Sequence, residues 1–180
     1  FSFNTTFTLA INTIPAAVNQ SFVVGGTTIN MVLPAGPYVR VTAYNTVVTF
    51  SSGGTTYTLT GDFYFDQVTR KGTAIKITRL ALSNVNFTGF GDGLEISDVT
   101  AALVITNTGV AGVVGGKASV NIPGFSVGAT VGVSINTTGG AIDETITVNG
   151  KDIVIRFTAA EQGVSVFAED LELSIGDFVT

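Results

Sequence analysis

The feature that most constrains this chain is a repetition of itself. Sliding the sequence by 124 positions lays 1–35 on 125–159 without a gap, and 11 of the 35 positions are identical. These are Phe1/Phe125, Ser2/Ser126, Thr6/Thr130, Ile11/Ile135, Asn12/Asn136, Thr13/Thr137, Ala17/Ala141, Val24/Val148, Gly26/Gly150, Ile29/Ile153 and Ala35/Ala159. Others exchange like for like, as in Leu9/Val133, Val18/Ile142, Asn19/Asp143, Gln20/Glu144 and Leu33/Phe157. A composition this rich in Thr, Val and Gly gives about two or three matches by chance, so the match is a tandem repeat. Residues 1–124 are then one full unit and 125–180 the first part of a second copy, expected to pack into one continuous β structure. Phe1 starts inside a strand pattern, and Gly176-Asp177-Phe178 restates Gly61-Asp62-Phe63. Both ends therefore read as cuts in a longer pattern.

The repeated stretch has the period of a strand. Phe1, Phe3, Phe7, Leu9 and Ile11 share one face, with Ser2, Asn4, Thr6, Thr8 and Ala10 on the other. The copy keeps the face with Val127, Val131, Val133 and Ile135. Gly25-Gly26 then marks a tight hairpin between 21–24 and 28–33, and Asn149-Gly150 marks the same hairpin in the copy. Val39, Val41 and Ala43 alternate again, matched by Val164, Val166 and Ala168 after a one-residue slip.

Further strands are predicted over 47–50, 55–66, 74–82, 94–97, 101–106 and 120–122. A bulge is expected where the apolar phase changes near Arg79-Leu80, and a bend over the glycines of 108–116. One short helical turn is kept open at 158–163. Connections this short exclude parallel crossovers. The expected fold is all-β: antiparallel up-and-down strands forming a β-sandwich or an open barrel, so that one-sided strands can cover their apolar faces.

Composition removes several classes of chemistry. The chain has no Cys and no His, which excludes disulfide frameworks, thiolate nucleophiles, zinc sites and imidazole-based catalysis. A net charge of −5 with eight scattered Lys and Arg leaves no basic patch for nucleic acid. No apolar run reaches the length of a membrane-spanning helix.

Thirteen acidic residues are present, but nothing in their spacing brings two of them together as a glycosidase pair requires. The expectation is therefore a non-enzyme with no required cofactor. The one metal candidate is Asp92, Glu95 and Asp98, three carboxylates close enough on a loop-to-strand edge to offer calcium oxygen ligands, though without EF-hand spacing. Asp143-Glu144 and Glu169-Asp170 are acidic only in the second copy, since the first has Asn19-Gln20 and Tyr44-Asn45. That argues against a required role for either pair. Asn4, Asn19, Asn86 and Asn136 head Asn-x-Ser/Thr triplets and are candidate glycosylation positions. Lys76, within an apolar strand, is expected to snorkel to an edge.

The stretch Ile135-Asn136-Thr137-Thr138-Gly139-Gly140-Ala141-Ile142-Asp143-Glu144-Thr145, followed by a Val-x-Gly hairpin, resembles a recurring unit of very large secreted bacterial proteins. Leu59-Thr60-Gly61-Asp62-Phe63-Tyr64-Phe65 and Val110-Ala111-Gly112 are similar to further segments of such units. The first copy departs from the pattern, with Ile14-Pro15-Ala16 in place of Thr-Gly-Gly.

The resemblance implies a structural, extracellular repeat module of a surface adhesin or matrix fibre, whose partners are adjacent repeats and possible cell-surface glycans. It brings no catalytic residue. The alternative is a self-assembling filament subunit. In that case the strand carrying Phe1, Phe3, Phe7, Leu9 and Ile11 would complete a neighbouring subunit's sheet, since a socket that accepts 125–135 should accept 1–11. A carbohydrate- or calcium-binding module is the third reading.

Overall fold

The computed structural model of the chain describes residues 2–70, 73, 75–89 and 93–176. Among them all regular structure is β. In chain order the strands are β1 (Ser2–Asn12), β2 (Val18–Val24), β3 (Thr27–Leu33), β4 (Tyr38–Ser52), β5 (Thr55–Thr69) and β6 (Lys76–Thr88). They continue with β7 (Leu94–Ile105), β8 (Val110–Ile122), β9 (Phe125–Asn136), β10 (Ile142–Val148), β11 (Lys151–Phe157) and β12 (Gly163–Ile175).

Eight of these form one antiparallel sheet in the order β1-β4-β5-β6-β7-β8-β9-β12, and β2-β3 and β10-β11 are separate hairpins. The sheet does not close, because β1 and β12 are its two ends. The β10-β11 hairpin lies across β5, β6, β7 and β8 as a second layer, which makes the molecule an asymmetric two-layer sandwich. Tight turns dictate the up-and-down order. Gly25-Gly26, Gly53-Gly54 and Asn149-Gly150 all have positive φ at both residues, the geometry that matches the twist of paired strands.

The repeat is present in space, residue for residue. Ile11, Leu9 and Phe7 of β1 face Val39, Val41 and Ala43 of β4. Ile135, Val133 and Val131 of β9 face Val164, Val166 and Ala168 of β12 in the same register. Each pair is interrupted at the same place by a bulge that puts a non-glycine residue at positive φ, Asn45 at 51° and Asp170 at 52°. Comparable bulges carry Asn84 on β6 and Asp98 on β7. Asn and Asp tolerate this conformation better than other non-glycine residues. An extra residue at each site bends its strand and reverses the side-chain phase.

The buried core lies between the β10-β11 hairpin and the sheet beneath it. Ile142, Ile146, Val148, Ile153, Ile155 and Phe157 of the hairpin pack on Ile77, Ala81, Ala102, Val104 and Ala111. Each fully buried aliphatic side chain contributes about 1.5–3 kcal/mol relative to exposure. Small residues in the sheet let the hairpin backbone approach closely. The opposite face of the same strands carries Phe63, Phe65, Leu80, Leu82, Ala101 and Leu103, which line an open apolar trough of about 240 Å³.

Several boundaries differ from the sequence reading. The segments predicted over 39–43 and 47–50 are one strand, β4, and those over 94–97 and 101–106 are one strand, β7. A bulge at Asn45 or Asp98 breaks the periodicity without ending the ladder. Arg79 and Leu80 sit in regular register. Both faces of β6 are apolar, so adjacent apolar residues there mark one buried and one half-buried side, and the bulge falls at Ser83-Asn84. Gly112, Gly115 and Gly116 lie inside β8 instead of forming a bend. A Cβ on Gly112 would meet the Ala102 carbonyl and the Leu103 side chain, so glycine here serves close strand packing. No helix forms at 158–163. That segment is a turn in which Glu161 accepts a bond from the Thr158 N–H at 2.6 Å.

Candidate functional site

Two polar nodes hold the hairpin layer to the sheet. In the first, Asp66 of β5 is fully buried and accepts from Arg79 through Nε at 2.8 Å and Nη2 at 2.5 Å, and from the Tyr64 hydroxyl at 2.7 Å. Arg79 also faces Glu144 of the hairpin at 3.8 Å, and Arg70 reaches the same carboxylate at 3.4 Å. The hydrogen bonds that Arg79 donates to Asp66 raise the pKa of its guanidinium further above the ordinary value. Burial, and then its bond to Asp66, raise that of the Tyr64 phenol. A bidentate guanidinium and a phenol give Asp66 three donors, so the arrangement fixes the position of Arg79 between the sheet and the hairpin.

The second node is Asp62. Its Oδ1 accepts the Asn45 N–H at 2.9 Å, and its Oδ2 accepts the Asn84 amide at 2.9 Å and the Asn149 amide at 3.0 Å. One carboxylate thus ties together the bulges of β4 and β6 and the tip of the β10-β11 hairpin. Burial alone would raise the pKa of this carboxyl, but the three hydrogen bonds outweigh it and hold the value below the ordinary range.

A third device is repeated. Asn12 and Asn136 are both buried at strand ends. Asn12 donates to the Ala16 and Pro34 carbonyls and accepts the Ile14 N–H. Asn136 donates to the Gly140 carbonyl and accepts the Thr138 N–H. In each copy this Asx turn launches the hairpin from its strand, despite the change from Ile14-Pro15-Ala16 to Thr138-Gly139-Gly140.

Of the three calcium candidates, Glu95 and Asp98 fall among the described residues. Asp92 lies outside the described residues. Glu95 is exposed on β7. Asp98 forms an exposed ion pair with Lys117 at 3.0 Å. No group of three potential metal ligands converges among the described residues.

Of the Asn-x-Ser/Thr positions, Asn4 and Asn19 are exposed on β1 and β2. Asn86 is half-buried and uses its side chain on the Asn84 carbonyl and the Asp98 N–H. Asn136 is the exception to that list of candidates. Its amide is buried and bonded to Gly140, so the folded chain offers no room for a glycan there. Lys76 is exposed at the start of β6. Phe50, Tyr57 and Phe87 stack on one another with centroids 5.2–6.1 Å apart.

The remaining candidate residues, those of the first strand, lie at the open end of the sheet. Phe1 is outside the described residues. Phe3, Phe7, Leu9 and Ile11 are all more than half exposed, and among the described residues β1 pairs with β4 on one side and with no strand on the other. Its counterpart β9 has β8 on that second side. Next to β1 the β2-β3 hairpin is also uncovered, touching the rest of the fold chiefly where β3 meets β1. The sequence marked the strand. It marked the hairpin as an element but not its open face, because the apolar pattern is the same whether the face is buried or open.

Compared with protein-family models, with curated proteins and with solved structures, the chain matches none. Among the described residues no helix is long and apolar enough to cross a membrane.

Proposed function

We propose that the chain is a structural, non-catalytic repeat module of an extracellular surface or matrix protein, working by extension of a β-sheet from one unit into the next. The observation that carries this reading is the equivalence of the sheet's two end pairs. β9 and β12 of the second copy continue the sheet of the first in the register that β1 and β4 use to begin it. A unit built this way has no natural closure and adds strands at a fixed spacing. The polar nodes support it too, since Glu144 and Asn149 of the hairpin are tied to Arg79 and Asp62 of the sheet and fix the position of one layer on the other.

The test is a concatemer series carrying one, two and three copies of Phe1–Gly124 ahead of 125–180. Each added unit should lengthen the particle in small-angle scattering by about 29 Å, six strand spacings of about 4.8 Å. Melting temperature should rise with unit number, as neighbour interfaces accumulate. Particles that behave as independent beads, with constant melting temperature, would rule out sheet extension. The filament-subunit reading rests on the open edge of β1. It requires ordered polymers of the single chain that disappear when Phe1–Ile11 is deleted.

A further inference from the structure

We infer that the exposed β2-β3 hairpin, together with the free edge of β1, is a docking surface for the β5-β8 sheet of another repeat unit of this same build. The inference rests on the sheet-extension reading above and adds which surfaces meet. Its basis is a docked example inside the same molecule. The hairpin that follows β9 folds back over β5, β6, β7 and β8 and is buried there. The hairpin that follows β1 has the same length, the same turn and the same Asx lock.

Its inward positions are also apolar in both copies. Ile146, Val148 and Ile155 are at most 1% exposed, whereas their counterparts Phe22, Val24 and Met31 are 42%, 57% and 39% exposed. Ile153 is 5% exposed and its counterpart Ile29 41%. One hairpin shows what covers this face, and the other lacks it. Adjacent to the hairpin, β1 leaves open the edge where β9 receives β8. A single β5-β8 unit would fill both positions at once.

The two hairpins differ in their polar anchors. Asn149, which reaches Asp62, is replaced by Gly25, and Glu144, which faces Arg79, is replaced by Gln20. The β2-β3 hairpin therefore docks through its apolar face, without the two attachments that fix β10-β11. Gly25 has φ +57° and Asn149 φ 48°, so asparagine fits the first turn as it fits the second. The missing anchors can be put back without altering the fold.

The experiment extends the full chain at its start with a second copy of Thr55–Gly124, recreating the junction that precedes Phe125. Hydrogen exchange in the extended chain should protect β2-β3 as strongly as β10-β11, whereas in the 180-residue chain it exchanges fast. Phe22→Asp should lower the melting temperature of the extended chain and leave that of the 180-residue chain unchanged. Gln20→Glu with Gly25→Asn should raise it in the extended chain alone. Protection of β1 without protection of β2-β3 would overturn the inference while leaving sheet extension standing. Protection of neither would remove both. Concentration-dependent protection of β2-β3 in the 180-residue chain, abolished by Phe22→Asp, would mean that the hairpin pairs with a copy whose β5-β8 face is already covered by its own β10-β11 hairpin, so that its partner is another surface, and would equally overturn the inference.

Discussion

At the scale of single residues, stability is concentrated in a few buried polar groups. Asp62 accepts from donors 17, 22 and 87 positions away. Asp62→Ala is expected to cost about 1.5–3 kcal/mol, the range for hydrogen bonds to a charged acceptor, as read by urea denaturation. The pH dependence has a definite sign. The folded pKa lies below the unfolded value of about 3.9, so this group's contribution is fully present above that value and is lost as pH falls through the folded pKa. Wild type should lose more stability than Asp62→Asn on acidification below pH of about 4. Arg79→Ala strands the buried Asp66 carboxylate and should cost about 3–5 kcal/mol, whereas Arg156→Ala breaks a solvent-exposed pair with Asp143 and should cost under about 1 kcal/mol. None of this was legible in the sequence. Gly61-Asp62-Phe63 stood out as a motif, but the partners of Asp62 come from three other strands or turns. Asn12 and Asn136 stood out as an identity, yet their role depends on which carbonyls the next turn presents.

At the scale of elements, the strands with one apolar face in unbroken period were legible and the interrupted ones were not. β1, β9 and the two hairpins follow the period and the Gly-Gly or Asn-Gly turns. β4 and β7 were split in reading because Asn45 and Asp98 take positive φ inside a strand without the glycine that usually signals it. Burial was the other invisible property. The apolar patterns of β2-β3 and β10-β11 are nearly the same, and only the neighbouring sheet distinguishes a core from an open face. The repeat converts this into a paired measurement. Ile155→Ala removes a fully buried side chain and should cost about 2–5 kcal/mol. Met31→Ala, at the equivalent position on the uncovered hairpin, should stay within about 0.5 kcal/mol. Equal effects on thermal unfolding would mean that the hairpins share one environment.

For the whole molecule, the question is how a sheet with two open ends avoids uncontrolled growth. Every neighbouring pair in the eight-strand order is antiparallel, so β1 and β12 run in opposite directions. A second copy set edge to edge by translation alone would continue the ladder without reversal, a head-to-tail contact of the kind that propagates. Both end strands carry exposed apolar residues, Phe7 and Leu9 on β1 and Val164 and Val166 on β12, and neither has the lysines or prolines that usually blunt an edge. In an array, each interior end is taken by the next unit. An isolated 180-residue chain has both ends free, and should therefore self-associate in sedimentation velocity as concentration rises. Phe7→Lys combined with Val166→Lys should shift the population toward monomer while leaving the melting temperature of dilute protein unchanged, because both side chains are largely exposed. A wild-type chain that stays monomeric throughout the concentration series would mean that the sheet ends are not adhesive by themselves. Sheet growth would then depend on units joined covalently within one chain, where effective concentration, not edge affinity, brings each strand to its neighbour.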